Sequence, residues 1–238
     1  MILFLLKLIV AHILGDFLFQ PEKWVKDKEL KMAKSPYMYY HILVHAILLA
    51  GVLMLNLDYW LGYLTIVVSH FIFDLLKVIF KKRFSARLLF VVDQLAHIVV
   101  ILLVTNVYFP LNAFDVAGVT MVSLLKYVIV GLLLTSVSSV IMKVFMSKWV
   151  ADVASQQSLK SAGSYIGLLE RLLVFVFVIN GRWEGVGFLL AAKSIFRFGD
   201  LSNAKDRKLT EYVLIGSLLS FTIAVIISLF YLFLSLHT

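Results

Sequence analysis

The feature that most constrains this chain is a series of long apolar segments, each close to the length of a membrane-spanning helix. About 20 consecutive apolar residues cross the hydrocarbon core of a bilayer as an α-helix. The sequence therefore predicts an all-α, polytopic membrane protein. Its roughly eight transmembrane helices are expected near residues 1–20, 36–57, 59–80, 86–109, 119–145, 163–181, 183–199 and 209–236. The seventh is short enough to be re-entrant. Ser35 and Pro36 are expected to begin the second span as N-cap and first helical residue.

Composition supports lipid as the surrounding medium. Hydrophobic residues make up 62% of the 238 residues and charged residues 15%, against about 45–50% and about 25% in soluble domains. A net charge of +8 would suggest nucleic-acid binding in a soluble protein. In a membrane protein it fits basic cytoplasmic loops, so no nucleic-acid partner is expected. The absence of cysteine excludes disulfides, thiolate ligands and cysteine nucleophiles.

Basic residues alternate between the predicted loops and set an expected orientation. Loops 1–2, 3–4, 5–6 and 7–8 carry them, and the alternate loops contain one basic residue, Arg182, together with aromatic residues. Both termini should therefore lie outside, with the basic loops in the cytoplasm. The first segment has no basic start and no small-residue cleavage site, so we interpret it as a retained span.

Four pairs of titratable residues, each with spacing i,i+4, lie one on each of the first four predicted spans. This spacing places both members of a pair on one face of a helix. Counted from the cytoplasmic end of each span, all four pairs fall at a similar depth. The eight side chains should therefore converge on one polar site; they are His12, Asp16, His41, His45, His70, Asp74, Asp93 and His97.

A single such pair is more often a hydrogen bond between helices than a ligand set. Four pairs at matching depth need a common reason, because each aspartate inside a membrane costs about 2.5–3.5 kcal/mol. Binding of a divalent metal would release enough free energy to offset the cost of burying these aspartates. Nitrogen and oxygen donors without sulfur favour Zn²⁺, with Mn²⁺ or Fe²⁺ as alternatives, and eight candidates allow one or two ions. Residues 1–110 would form this metal-site half as two pseudo-repeated hairpins, and residues 111–238 a supporting half within one compact membrane domain.

The second half carries charged residues near the predicted cytoplasmic side. Arg171, Lys193 and Arg197 are expected to bind an anionic substrate group, phosphate above all. Internal ion pairing or snorkelling to the membrane surface is the alternative for these cations. Residues expected to support the ligands or the cations are Gln20, Gln94, Glu170 and Glu211.

Six segments resemble a bacterial and phage-borne membrane family catalogued as domain-of-unknown-function family 3307. They are AHILGDFLFQ, HFIFD, DQLAH, LLER, AAKSIFRF and EYVLIGSLLS, in this order and along essentially the whole chain. The resemblance implies a membrane protein and no particular reaction. The last segment has Ser217 where the family pattern has threonine. Serine also carries a hydroxyl group, so this difference preserves the functional group. The first four spans are also distantly similar to membrane-bound metal-dependent hydrolases.

The leading hypothesis is an intramembrane metal-dependent hydrolase acting from the cytoplasmic side on a phosphate-bearing, lipid-linked substrate. One of Asp16, Asp74 and Asp93 would remain free as general base. A divalent-metal transporter is the main alternative. A transported ion needs polar residues along its whole path, however, and the outer halves of the spans contain few. A haem protein with ligands such as His41 and His97, or a protein without enzymatic activity, is a further alternative. The pattern leaves the oligomeric state open.

Overall fold

A computed structural model describes residues 1–110, 119–150, 162–195 and 204–236. Almost all of these residues are helical and none of them lies in a strand, which confirms the predicted all-α class. The α-helices are α1 (Ile2–Ile13), α2 (Glu22–Lys31), α3 (Pro36–Val52), α4 (Trp60–Phe80), α5 (Ala86–Tyr108), α6 (Val119–Leu132), α7 (Ser138–Val150), α8 (Ala162–Ile179), α9 (Trp183–Ile195) and α10 (Ala204–Leu236). Two π-helical segments, Leu14–Leu18 and Leu133–Val137, continue α1 and join α6 to α7.

In the part of the chain that the structure describes, four helical segments are long and apolar enough to cross a membrane: Leu57–Phe80, Ala86–Tyr108, Met121–Trp149 and Thr210–Ser235. A fifth candidate is the pair Ile2–Leu18 and Glu22–Lys34, which bends by 81° at a short break. Helix α3 is apolar but shorter. The described residues thus support a membrane protein with four or five candidate spans. Eight spans and outward-facing termini stay predictions.

Helix α2 is the main difference from the predicted arrangement, in which residues 21–35 formed a loop of cytoplasmic lysines. Its polar sequence folds back after the break, and Trp24 stacks on Tyr37 with 5.6 Å between ring centroids. Ser35 is the N-cap of α3 and Pro36 its first residue, as predicted. The Ser35 hydroxyl does not cap α3, however, because it donates to the Asp27 carboxylate at 2.6 Å and so ties α2 to α3.

The chain forms two compact units, Met1–Ile129 and Val130–Thr238. In the first, α1, α3, α4 and α5 pack around an apolar core, since each contributes one apolar face. That core contains Phe4, Leu8, Ala11, Leu49, Leu53, Ile66, Ile101 and Val104. The second unit has its own core, built on Val130, Leu134, Val174, Val178, Val186, Phe221, Ala224 and Ile227. The roles assigned above to residues 1–110 and 111–238 stay predictions.

Candidate metal centre

The first unit is layered along its helices. One core residue from each helix forms an apolar layer: Leu8, Leu49, Ile66 and Ile101. One helical turn away from this layer, each helix carries a histidine; the turn runs towards the C-terminus on α1 and α4 and towards the N-terminus on α3 and α5. This second layer is His12, His45, His70 and His97. One more turn in the same direction gives a third layer, Asp16, His41, Asp74 and Asp93. These last two layers, which we call the His/Asp cluster, contain all eight predicted ligands; seven are buried and Asp16 is nearly so.

Asp16 is the residue on which the His/Asp cluster converges. Its Oδ1 lies 2.9 Å from His45 Nε2 and 3.3 Å from both His41 Nε2 and His70 Nε2. His41 Nε2 and His70 Nε2 are themselves 3.0 Å apart, and His41 Nε2 is 3.5 Å from Asp74 Oδ2. Ring nitrogens from α3 and α4 therefore meet at one carboxylate oxygen carried by the π-helical segment after α1.

These distances match the edges of a metal coordination shell. Ligand atoms about 2.1 Å from a tetrahedral ion lie about 3.4 Å from one another. Among the described residues, three overlapping sets of side chains each offer ligand atoms within 4.8 Å of one another. The sets are His12, Asp16, His45 and His70; His41, His70 and Asp74; and Asp16, Asp93 and His97. Because Asp16 and His70 each belong to two sets, the geometry can accommodate more than one ion.

A cavity of about 10 Å³ lies between the apolar layer and the histidine layer. Its polar lining includes the imidazoles of His12, His45, His70 and His97. This volume is about what one water molecule requires. A single small ligand therefore fits among the histidines.

Several polar atoms of the His/Asp cluster are buried without a hydrogen-bond partner. Among the described residues these include His41 Nδ1, Asp93 Oδ1 and His97 Nε2. His97 uses its other ring nitrogen to donate to the Asp93 carbonyl at 2.6 Å. Buried polar atoms in proteins almost always have a partner, so such atoms call for an explanation such as an ion or a water.

Gln94 forms hydrogen bonds with two carboxylates of the His/Asp cluster. Its Nε2 donates to Asp16 Oδ2 at 2.9 Å and to Asp93 Oδ2 at 3.2 Å, and its Oε1 lies 3.2 Å from His12 Nε2. This arrangement is what a residue that orients metal ligands should have. No hydrogen bond joins Gln20, the other glutamine predicted to support the ligands, to any of the eight side chains.

Two lysines reach the cluster carboxylates, and neither is among the residues predicted to bind metal or substrate. Lys28 Nζ lies 2.5 Å from Asp74 Oδ2, and both side chains are buried. Lys77 Nζ lies 2.7 Å from Asp93 Oδ2. The spacing could have indicated that Lys77 lies near the cluster, since it follows Asp74 by three residues on the same helical face. Lys28 had no such signal, because its position depends on the fold-back of α2.

Gly15 is a further site residue that the pattern did not single out. It is buried in the π-helical segment, and a methyl group at this position would overlap the imidazole of His45. The absence of a side chain thus allows His45 to approach Asp16.

The other predicted site residues belong to the second unit. Lys193 Nζ forms an ion pair with Glu170 Oε2 at 2.6 Å. Arg171 is buried and bonds neutral acceptors, and Glu211 is exposed near the start of the candidate span Thr210–Ser235. Arg197 lies outside the described residues.

Comparison with known protein families gives a match to the first half of the chain. The model of the family described as "Protein of unknown function (DUF3307)" matches residues 4–126. The chain belongs to the DUF3307 family. No curated protein and no solved structure matches the chain.

The DUF3307 match lies within the first compact unit, Met1–Ile129. It contains the whole His/Asp cluster together with Lys28, Lys77 and Gln94. The segments LLER, AAKSIFRF and EYVLIGSLLS lie beyond residue 126. The DUF3307 part of this chain therefore coincides with the unit that carries the candidate metal centre.

Proposed function

We propose that the DUF3307 unit holds one or two divalent metal ions in the His/Asp cluster, with Zn²⁺ the best fit and Mn²⁺ or Fe²⁺ as alternatives. The observation that carries this proposal is the approach of His41, His45 and His70 Nε2 to within 2.9–3.3 Å of Asp16 Oδ1. Imidazole nitrogen and carboxylate oxygen at coordination-shell spacing suit these metals. The cluster also lacks thiolates, which disfavours Cu(I).

The reaction we propose is hydrolysis of an anionic, phosphate-bearing and lipid-linked substrate, reached from the cytoplasmic side of a bacterial inner membrane. A divalent metal in the cluster would polarise the phosphoester and lower the pKa of a coordinated water. The chain must then supply a general base. Asp16, Asp74 and Asp93 are the candidates, and Asp93 is favoured because its Oδ1 has no hydrogen-bond partner.

Lys28 and Lys77 support an anionic substrate. Their ammonium groups lie beside Asp74 and Asp93, where they would attract a phosphate group approaching the cluster.

A divalent-metal transporter is the second candidate, and two observations favour it. The 81° break between Ile2–Leu18 and Glu22–Lys34 resembles the interrupted helices that form the binding sites of many transporters. The cavity of about 10 Å³ among the histidines would suit a bare ion better than a lipid. A haem between His41 and His97 fits less well, because His70 packs against both rings, at 5.0 and 4.1 Å between centroids.

The test compares wild type with His70→Ala and Asp93→Asn, using Asp58→Asn as a matched control at an exposed carboxylate in the 3₁₀ turn Leu57–Tyr59 before α4. Metal content, turnover of phosphate-ester lipids and metal flux into proteoliposomes are measured on the same preparations. A hydrolase requires phosphate release that His70→Ala and Asp93→Asn abolish and Asp58→Asn retains. Flux without turnover would replace hydrolysis by transport, and unchanged metal content in His70→Ala would defeat the ligand assignment.

A further inference from the structure

The second unit contains a large cavity that the metal centre does not require. Its volume is about 890 Å³, and its lining combines Met142, Met146, Ile166 and Leu189 with hydroxyl and cationic side chains and the Glu170 carboxylate. The polar part includes Ser139, Arg171, Lys193, Tyr212, Ser217 and Ser220. A cavity of this size, mostly apolar with a few polar groups, is typical of a site for a small amphiphilic molecule.

Arg171 is the polar anchor of this cavity, with an exposed fraction of 3%. Its Nε donates to the Leu134 carbonyl at 2.6 Å. That carbonyl belongs to the π-helical segment Leu133–Val137, and segments of this kind frequently occur at functional sites. The terminal nitrogens NH1 and NH2 donate to Ser220 Oγ and Ser139 Oγ, each at 3.3 Å. The guanidinium group is thus held in one place by three neutral acceptors.

The charge of Arg171 is not balanced by these contacts. No carboxylate of the described residues lies within ion-pair distance of it, and the neighbouring Glu170 pairs with Lys193 instead. A guanidinium has five N–H groups, and three acceptors leave one on each terminal nitrogen. Two donors in this fork match two oxygens of one phosphate group. A buried and positioned cation that has unused donors and no direct ion pair, beside a cavity, therefore indicates an anionic ligand.

We propose that this cavity binds the phosphate headgroup of a phospholipid. Arg171 contacts the phosphate oxygens, and the methionines and aliphatic residues accommodate the acyl chains. The proposal rests on residues of the second unit alone and holds whether or not the His/Asp cluster binds metal. Lys193 lies at the same cavity but is already paired, so Arg171 carries most of the affinity.

The test is a titration of the full-length protein in neutral detergent with short-chain phosphatidic acid, short-chain phosphatidylcholine and inorganic phosphate. We expect phosphatidic acid to bind with one-to-one stoichiometry and Arg171→Gln to weaken it by about 10- to 100-fold, the value of hydrogen bonds to a charged group. Arg182→Gln, an exposed arginine on the Gly181 turn, is the matched control and should bind like wild type. Equal affinity of Arg171→Gln and wild type overturns the proposal.

A second variant decides the matter if Arg171→Gln does not fold. Gly163 lines the cavity, and a side chain there meets open space, so Gly163→Phe should fill the cavity and block phosphatidic acid. Undiminished binding to Gly163→Phe would contradict the site. Inorganic phosphate binding as tightly as phosphatidic acid would overturn the lipid assignment, whereas equal binding of phosphatidylcholine, whose phosphodiester is also anionic, would show that the phosphate itself and not the net charge of the lipid is recognised. Protein stripped of metal by a chelator should bind unchanged, which separates this site from the metal centre.

Discussion

Asp16 Oδ1 lies 2.9 Å from His45 Nε2, and this contact joins two helices through residues 29 positions apart. Asp16 is not on a regular α-helix but on the π-helical segment Leu14–Leu18. Such segments are rare and frequently occur at functional sites. The local change in winding at the end of α1 places the carboxylate among the imidazoles of α3 and α4.

Gly15→Ala should damage the metal centre through packing alone. The added methyl group would overlap the His45 ring, and overpacking of this kind costs about 1–3 kcal/mol. We expect a lower unfolding temperature and weaker metal binding, measured by thermal unfolding and by titration with Zn²⁺.

Gly51→Ala is the matched control for Gly15→Ala. A side chain at Gly51 meets no atom within 4 Å, and alanine favours a helix by about 1 kcal/mol over glycine. This variant should be as stable as wild type or more so. If both variants behave alike, His45 does not depend on the missing side chain of Gly15.

Lys28→Met should strengthen metal binding. The ammonium group competes with a metal ion for Asp74 and repels it, so we expect affinity for Zn²⁺ to rise by about tenfold or more. Without metal the same variant should be less stable, because Asp74 remains buried without its partner. Competition with a chromophoric chelator measures the first effect and thermal unfolding the second.

Lys26→Met controls for the loss of a lysine from α2. Lys26 is exposed and pairs with Glu22 one helical turn away, so neither metal affinity nor stability should change appreciably. Weaker metal binding in Lys28→Met would mean that the ammonium group supports the ion rather than competing with it.

Much of the arrangement could be predicted from the sequence because it depends on local periodicity. Helical geometry alone predicts that the two members of an i,i+4 pair on α4 or α5, such as His70 with Asp74, lie on one face of the helix. Apolar runs bounded by proline or polar residues located the described helices other than α2 to within a few residues. The all-α class followed directly.

Other parts depended on tertiary contacts that no local pattern encodes. Lys28 reaches Asp74 only because α2 folds back through 81°, whereas its sequence alone resembles a basic loop. Serine is a residue type typical of helix N-caps, but the Ser35 hydroxyl donates to the Asp27 carboxylate instead. The π-helical segments at Asp16 and Leu134 likewise have no distinctive residue pattern.

Gln94→Ala should lower metal affinity without changing the number of ions bound. Gln94 orients Asp16 and Asp93, and loss of a residue that orients ligands typically costs about 10- to 100-fold in metal affinity. Val92→Ala, on the exposed face of α5, should leave affinity unchanged. Equal affinities in the two variants would show that the carboxylates hold their positions without the amide.

The metal content of Asp16→Asn tests the central claim most directly. Elemental analysis of detergent-purified wild type, Asp16→Asn and Asp58→Asn compares a cluster carboxylate with an exposed one under identical conditions. The account predicts about one or two equivalents of divalent metal in wild type and Asp58→Asn, and a loss of at least half in Asp16→Asn. Wild-type protein without stoichiometric metal after purification and reloading, or Asp16→Asn with a full complement, would contradict it.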